Sequence, residues 1–369
     1  MKAVAVICEY NPFHNGHACL ITEIKKAFPG YAVISVMSGN TVQRGDFAVQ
    51  EKYVRAENAL KNGSDLVIEL PFPFSVSTAE QFARAGVLLA RSVKADVLAF
   101  GSESGQLEKL KAAAKRLDSK EFENALKKEI EISPDESFIT VRDRAYFSLY
   151  GEALFDSGND ILALEYLKNT ERCGDITPYA VHRTRPFSAT AARRAIFEND
   201  VSEISRLLPD GTSDTEIHGG LSSLSSLVIG YLRLSPARDS GNGIRNAIKQ
   251  AAEKATYFSE LLGMLPTKTY TLARLRREII SMLFDVTEAD KNEAPEYSVL
   301  LGASETGLKY LSEKKKEIVF PILTKKSDAR GLSASGKLQL KKAMLCDSIY
   351  ALGMKKETGA YFKTPVIVK

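Results

Sequence analysis

The chain opens Met1-Lys2-Ala3-Val4-Ala5-Val6-Ile7-Cys8-Glu9-Tyr10-Asn11-Pro12-Phe13-His14-Asn15-Gly16-His17-Ala18-Cys19-Leu20. Residues 2–8 are apolar and rich in β-branched types, which predicts a first strand. From residue 18 to 28 the apolar positions recur with helical period, so a helix follows. Outward from this unit the alternation repeats. Residues 31–37 are apolar again, 51–62 are helical with Gly63 as a stop, 65–70 read as a strand, 78–91 as a helix and 95–100 as a fourth strand. Strands separated by helices of this length predict βαβ units and an α/β fold with a parallel sheet. Such a sheet takes its ligands at the carboxyl ends of the strands. The loops to search are therefore 9–17, 38–46, 70–74 and 101–105.

Beyond the fourth strand, 108–128 is charged and helical, an excursion from the sheet. Apolar periodicity resumes at 161–168, and 176–183 reads as a late strand leading into a helix at 188–197. After Pro209-Asp210-Gly211 the character changes. Residues 221–234, 247–262, 272–284 and 337–352 are helical in pattern, with a short strand at 317–323. This places a boundary near residue 205, between an α/β unit at 1–205 and a mainly helical unit at 206–369. No repeat and no low-complexity tract is present.

Composition narrows the class. The 369 residues are 44% hydrophobic and 26% charged, ordinary for a globular protein with a full core. No apolar run approaches the roughly 20 residues that span a bilayer. Glu9 interrupts the N-terminal apolar run too early for a secretory segment. The four cysteines (Cys8, Cys19, Cys173, Cys346) form no CxxC pair, which points to reduced thiols and a cytoplasmic protein. The net charge of +4 is unevenly placed: residues 1–220 hold 26 Lys and Arg against 31 Asp and Glu, and residues 221–369 hold 24 against 15. A basic second half suits a polyanion partner, or else is a lysine-rich solvated surface.

Loop 9–17 carries two of the four histidines. It opens a helix, whose free N–H groups and partial positive charge favour phosphate. His14 and His17, three residues apart, can face one phosphate group and stabilise charge on a leaving pyrophosphate. Gly16 permits close backbone approach. A zinc site completed by Cys8 or Cys19 is the competing reading. The spacing does not match common zinc frameworks, and Cys8 in a strand reads as core. Asn11 or Asn15 is a candidate N-cap for the helix.

Several ordered motifs extend this. Glu9-Tyr10-Asn11-Pro12-Phe13-His14-Asn15-Gly16-His17 contains an HxGH signature similar to that of the HIGH superfamily of nucleotidyltransferases. Met37-Ser38-Gly39-Asn40, Gln43-Arg44-Gly45, Asp65-Leu66-Val67-Ile68-Glu69-Leu70-Pro71, Phe100-Gly101-Ser102-Glu103 and Asn159 with Glu165-Tyr166-Leu167-Lys168 follow in order. Together these resemble the tRNA(Met) cytidine acetate ligase family. The resemblance continues through Thr267-Lys268-Thr269-Tyr270 and Arg274-Leu275-Arg276-Arg277, so it covers nearly the whole chain. It implies a Rossmann-like sheet and a two-step reaction. Acetate attacks the α-phosphate of ATP, giving acetyl-adenylate and pyrophosphate; the acetyl group then passes to the wobble cytidine of elongator tRNA(Met), giving N4-acetylcytidine. Matching positions put ATP, with Mg2+, against Ile7 to Leu20, Gly101, Asn159 and Arg183, with His14 and His17 catalytic and no protein metal site.

Residue chemistry agrees with that assignment. Gly101 admits close approach to adenosine, Asn159 can pair with an adenine edge, and Arg183 can hold phosphate bidentately. Ser188-Ala189-Thr190 with Arg193 opens another helix and resembles the superfamily's second phosphate motif. Between Arg183 and Ser188 this chain has only Thr184-Arg185-Pro186-Phe187, shorter than the family's His- and Asp-containing loop. Asp46, Arg44 and Glu69 sit on strand-end loops where they could contact substrate or magnesium, and Asp46 and Glu69 read equally as helix caps or structural partners. In the second half, Lys268, Arg274, Arg276 and Arg277 cluster around Tyr270, which suits RNA phosphates and base stacking. The competing functions are a small-molecule adenylyltransferase and an RNA-binding protein with a vestigial nucleotide pocket. The basic second half argues against the first, and the joint presence of His14, His17, Gly101 and Arg183 against the second.

Overall fold

In the computed structural model of the chain, the alternation of the first hundred residues forms one sheet. Every residue is described except 135, 185–186, 213–216, 236–242, 268, 356–360 and 369. The N-terminal elements are β1 (Ala3–Cys8), α1 (Asn15–Ala27), β2 (Ala32–Ser38), β3 (Thr41–Val42), β4 (Asp46–Phe47), α2 (Lys52–Lys61), β5 (Leu66–Leu70), α3 (Ala79–Ser92) and β6 (Val97–Ser102). Then come α4 (Leu107–Leu117), α5 (Lys120–Ile132), α6 (Phe138–Tyr150), α7 (Gly158–Cys173), β7 (Thr177–His182), α8 (Ala189–Glu198) and α9 (Val201–Leu207). The second half comprises α10 (Ser225–Leu234), α11 (Ile244–Lys254), α12 (Phe258–Gly263), α13 (Leu272–Leu283), α14 (Glu288–Asn292), β8 (Ser298–Ser304), α15 (Glu305–Lys314), β9 (Ile322–Leu323), α16 (Ala334–Gly353) and β10 (Val366–Val368).

The sheet order is β10-β8-β5-β2-β1-β6-β7, with β9 beside β8. Strands β5, β2, β1, β6 and β7 run parallel, and β8 is antiparallel to β5. The chain steps from β1 to β2 and β5 on one side, then crosses back to β6 on the other. The switch point between β1 and β6 is where a doubly wound sheet opens its ligand crevice. Both faces of β1 are covered. Ala3, Ala5 and Ile7 join the core under α3, α7 and α15, while Val4, Val6 and Cys8 join the opposite core under α1 and α2. That double burial explains an unbroken apolar strand rather than an alternating one.

The first-half elements predicted from sequence all form, most within one to three residues at their ends, while the 161–168 stretch lengthens to the whole of α7. The 108–128 stretch breaks at Ser119, which caps α5. The 247–262 pattern divides into α11 and α12, and 317–323 contributes only the two residues of β9. Helices predominate beyond α9, as expected. Three strands nevertheless return to the sheet, and one continuous core holds both Val4 and Val6 of β1 and Val228, Ile279 and Tyr350 of the second half. No helix among the described residues is long and apolar enough to cross a membrane.

A buried ionic knot ties the second half to the sheet. Lys52 Nζ lies 2.9 Å from Glu69 Oε2 and 2.8 Å from Asp347 Oδ2, with Tyr361 3.7 Å beneath it. Lys52 is wholly buried. Burial alone would depress its ammonium, but the two carboxylates outweigh that and raise it. Removing one partner of such a group leaves uncompensated buried charge. Lys52→Met should therefore cost about 3–5 kcal/mol in urea unfolding. The triple variant with Glu69→Gln and Asp347→Asn should recover most of that loss.

Candidate active site

The site grows from the first turn of α1. His14 is the N-cap, with extended backbone (φ −142°). Its Nδ1 accepts from Gly16 N at 3.0 Å, and His17 Nδ1 accepts in return from His14 N at 3.2 Å. The two histidines thus form a reciprocal capping box, the job usually given to Ser/Thr and Glu. The cap expected from Asn11 or Asn15 falls to His14 instead. Asn11 Oδ1 accepts from Val49 N at 2.8 Å, and Asn15 Nδ2 donates to Arg206 O at 2.9 Å. The imidazoles stack at 3.7 Å, with Tyr10 edge-on to His17 at 4.8 Å. Gly16 is required here because a Cβ would meet His14 Cε1 at 2.8 Å and Phe187 Cβ at 3.1 Å.

This geometry fixes the tautomers. Each Nδ1 is an acceptor, so in the neutral ring the proton sits on Nε2 and each histidine presents one N–H donor. Burial, reinforced by Arg183 and Arg193, lowers the His14 pKa to about 4. Burial, His14 and Arg183 lower that of His17 well below the usual value. The pair is neutral near pH 7: two donors without a positive charge of their own, beside two permanent cations.

Those cations come from the end of β7 and from α8. Arg193 Nη1 donates to Asn11 O at 2.8 Å and Nη2 to Thr190 Oγ1 at 3.1 Å. Arg183 Nη2 donates to Phe187 O at 2.9 Å, and its Nε lies 3.7 Å from a Glu103 carboxylate oxygen. The space that a Cβ at Gly101 would need is taken by the Arg183 stem, 3.1 Å away. Asn159, in the first turn of α7, also donates to Glu103, which accepts from Ser157 Oγ at 2.8 Å. Glu103 is the shared acidic partner that sequence reading quoted but did not assign.

The residues expected against ATP separate by exposure. Ile7, Cys8, Tyr10, Asn11, Pro12 and Phe13 are buried and form the floor, whereas Glu9, Asn15, Gly16, His17, Ala18, Cys19 and Leu20 are half-buried. His14 is only 2% exposed. Gly101, Asn159, Arg183 and Arg193 are half-buried and Thr190 is exposed. Cys8 Sγ contacts Val36 O at 3.8 Å, and burial pushes its thiol far up, as a core cysteine. Residues 185–186 of the short loop lie outside the described residues.

Sequence reading missed Arg55. This wholly buried residue of α2 donates to the carbonyls of Gln50 (2.9 Å), Ser38 (3.1 Å), Glu9 and Gly39. It holds the ends of β1 and β2 together beneath the loop. The basic cluster of the second half divides as well. Arg274 is exposed and lies 4.8 Å over the Tyr270 ring. Arg276 and Arg277 turn inward instead, onto the β3–β4 hairpin. Arg276 Nη1 meets Asp46 Oδ2 at 3.0 Å, and Arg277 Nη1 donates to Gln43 O at 3.2 Å. Burial lowers Arg277 to about 10. Gly45 (φ +80°) lets the hairpin press on α13, where a Cβ would meet Arg277 N at 2.5 Å. Lys268 lies outside the described residues. Asp46 and Glu69 are structural partners, of Arg276 with Leu221 N and of Lys52 respectively.

The lowered histidines make stability depend on pH. The unfolded rings protonate near 6.5, while folded His14 and His218 hold out to about 4. Between those values the unfolded state binds more protons, so stability falls as pH drops from about 6.5 to 4. His14→Asn keeps a capping side chain. Urea unfolding of that variant across pH 4.5–6.5 should show a dependence shallower by about one proton.

Comparison with known proteins gives the lineage. Residues 1–363 match the HIGH Nucleotidyl Transferase family model. A tRNA(Met) cytidine acetate ligase of a Thermoanaerobacter species is 34% identical over 402 aligned positions, covering 100% of both chains. That of Listeria monocytogenes is 32% identical, covering 97% of this chain and 96% of its own. A crystal structure of Thermotoga maritima TmcAL bound with alpha-thio ATP superposes with a TM-score of 0.91 at 27% identity, covering 100% of both chains. Its apo form gives 0.92 at 26%, again over 100% of both. The chain belongs to the tRNA(Met) cytidine acetate ligase family of HIGH nucleotidyl transferases.

Proposed function

We propose that this protein activates acetate with ATP and transfers the acetyl group to the wobble cytidine of elongator tRNA(Met). The observation that carries this reading is the neutral, stacked His14–His17 pair in the first turn of α1, with Arg183 and Arg193 beside it. ATP lies along residues 7–20 and reaches Gly101, Asn159 and Arg183. Acetate oxygen attacks the α-phosphorus, the bond to the β-phosphate breaks, and pyrophosphate leaves. The two Nε2–H groups and the guanidiniums stabilise charge gathering on the phosphates, with positioning supplying most of the rest. Magnesium, if it accompanies the nucleotide, would help neutralise charge on the phosphates. Asp46 and Glu69, already paired within the protein, are not free to ligate it. The relatives' names supply the acceptor, and the two Thermoanaerobacter ligases align with this chain over their full length.

Division of labour follows the sequence boundary. Residues 1–205 carry the nucleotide chemistry, and 206–369 present the basic surface to tRNA. Arg274, exposed and stacked on Tyr270, is the side chain of α13 placed to meet RNA, while Arg276 and Arg277 hold the hairpin. A small-molecule adenylyltransferase has no use for such a surface.

Two outcomes check these assignments. The protein should catalyse acetate-dependent exchange of pyrophosphate into ATP, and His17→Ala should slow it roughly 10²–10³-fold. Exchange driven by a different acid and not by acetate would remove the ligase reading. Arg274→Glu should weaken tRNA binding and reduce its salt dependence by about one counterion, leaving exchange without tRNA unaltered. An unchanged salt slope would take Arg274 out of the RNA interface.

A further inference from the structure

We propose that Glu9 receives the acceptor cytosine. Its carboxylate accepts a hydrogen bond from the exocyclic amine and takes the proton that the amine loses on acylation. The proposal rests on the acetyl-transfer reading above and adds the proton acceptor which that reading lacks.

Acylating an aromatic amine at an acyl phosphate releases a proton, so an acceptor near the mixed anhydride speeds the step. His14 and His17 cannot supply it. The Nδ1 lone pair of each is committed to a backbone N–H of the capping box, and Nε2 already carries hydrogen. Asp46 accepts from Leu221 N at 2.7 Å and Phe47 N at 2.8 Å and pairs with Arg276. Glu69 is sealed against Lys52, and Glu103 is occupied by Ser157 and Asn159. Glu9 remains, at the carboxyl end of β1 on the loop that leads into His14.

Its surroundings suit the task. Oε1 accepts from Gln43 N at 2.7 Å, and the Glu9 carbonyl is held by Arg55. The carboxylate is thereby aimed while half-buried, and no protein hydrogen bond to Oε2 occurs among the described residues. The charged groups facing it are Arg193 from α8, Arg44 from the hairpin and Arg55 from α2, with Cys8 of its own strand and Tyr166 of α7 behind. Arg193 also acts on His14, so Glu9 shares its electrostatic neighbourhood with the histidine pair. Burial raises the Glu9 carboxyl above its ordinary value against the pull of these cations, making it a stronger base than a solvated carboxylate. A carboxylate is also the side chain that complements the N4 amino group of cytosine. In the step, the N4 lone pair attacks the carbonyl carbon of acetyl-adenylate and the C–N bond forms. The acyl C–O bond breaks and AMP leaves with that electron pair. The N4 proton passes to Glu9, which returns it to water.

Single-turnover transfer tests this. Protein is first loaded with ATP and labelled acetate, then mixed with tRNA(Met), and acetyl-adenylate and acetylated tRNA are followed separately. Glu9→Gln keeps the acceptor for Gln43 N but cannot take a proton. Its transfer rate should fall at least about 10²-fold further than its adenylation rate, so acetyl-adenylate persists after mixing. Glu9→Asp should restore part of the transfer. Wild-type transfer should lose rate at acid pH through a group titrating above the usual carboxylate range, and that limb should vanish in Glu9→Gln. A proportional fall of both steps, or wild-type transfer without an acid limb, overturns the proposal. Failure of the wild-type protein to form acetyl-adenylate at all would overturn the acetate reading itself, and this inference with it.

Discussion

A single buried guanidinium sets the geometry on which the rest depends. Arg55 reaches from α2 to the carbonyls of Glu9, Ser38, Gly39 and Gln50, and no carboxylate ion-pairs with it among the described residues. Its charge is balanced instead by carbonyl dipoles at the ends of two parallel strands. Charge-assisted hydrogen bonds of this kind contribute about 1.5–3 kcal/mol each, and the rigid fork of arginine suits several acceptors at once. The contact fixes where β1 and β2 release the chain. Loop 9–17 then has one path into α1, and the histidines arrive at the helix start as a capping box. The helix cap and the proposed phosphate site are thus the same atoms.

The β3–β4 hairpin makes the two halves of the chain one device. The Gln43 backbone donates its N–H to Glu9 and accepts Arg277 at its carbonyl, so a single residue links loop 9–17 to α13. Asp46 adds a second tie, to Arg276 and to Leu221 N. Below, Lys52 binds Glu69 of β5 to Asp347 of α16. The helix that presents Arg274 outward is therefore anchored by its next two arginines onto the loop beside the chemistry. An RNA held on α13, as proposed, would be positioned relative to Glu9 through two hydrogen bonds and the backbone of Gln43.

Much of the first half was legible because its signals are local. An apolar β-branched run followed by a helical period names a strand and a helix, and their alternation names a parallel sheet. His14-Asn15-Gly16-His17 could be placed at a strand end, hence at a candidate phosphate site. What sequence could not supply is pairing at a distance. β8 joins β5 with more than two hundred residues between them, and nothing local in Ser298–Ser304 marks it as antiparallel. Lys52 and Asp347 carry no local signal, and Glu69 reads equally as a substrate contact, a helix cap or a structural partner, until the fold brings the three together. Arg274, Arg276 and Arg277 form one basic cluster in sequence, but helix geometry sends the last two inward. Asn15 is a conventional cap residue, yet the hydrogen-bond accounting at the start of α1 is closed by imidazoles.

The atom that acetate attacks decides whether His14 and His17 have the role proposed for them. Acetate carrying oxygen-18 in both carboxyl positions, supplied with ATP and tRNA(Met), distinguishes the possibilities by mass spectrometry. Attack at the α-phosphorus leaves one heavy oxygen in AMP, none in pyrophosphate, and one in the acetyl group on the tRNA. Label in pyrophosphate or inorganic phosphate, with AMP unlabelled, would contradict the role given to His14 and His17.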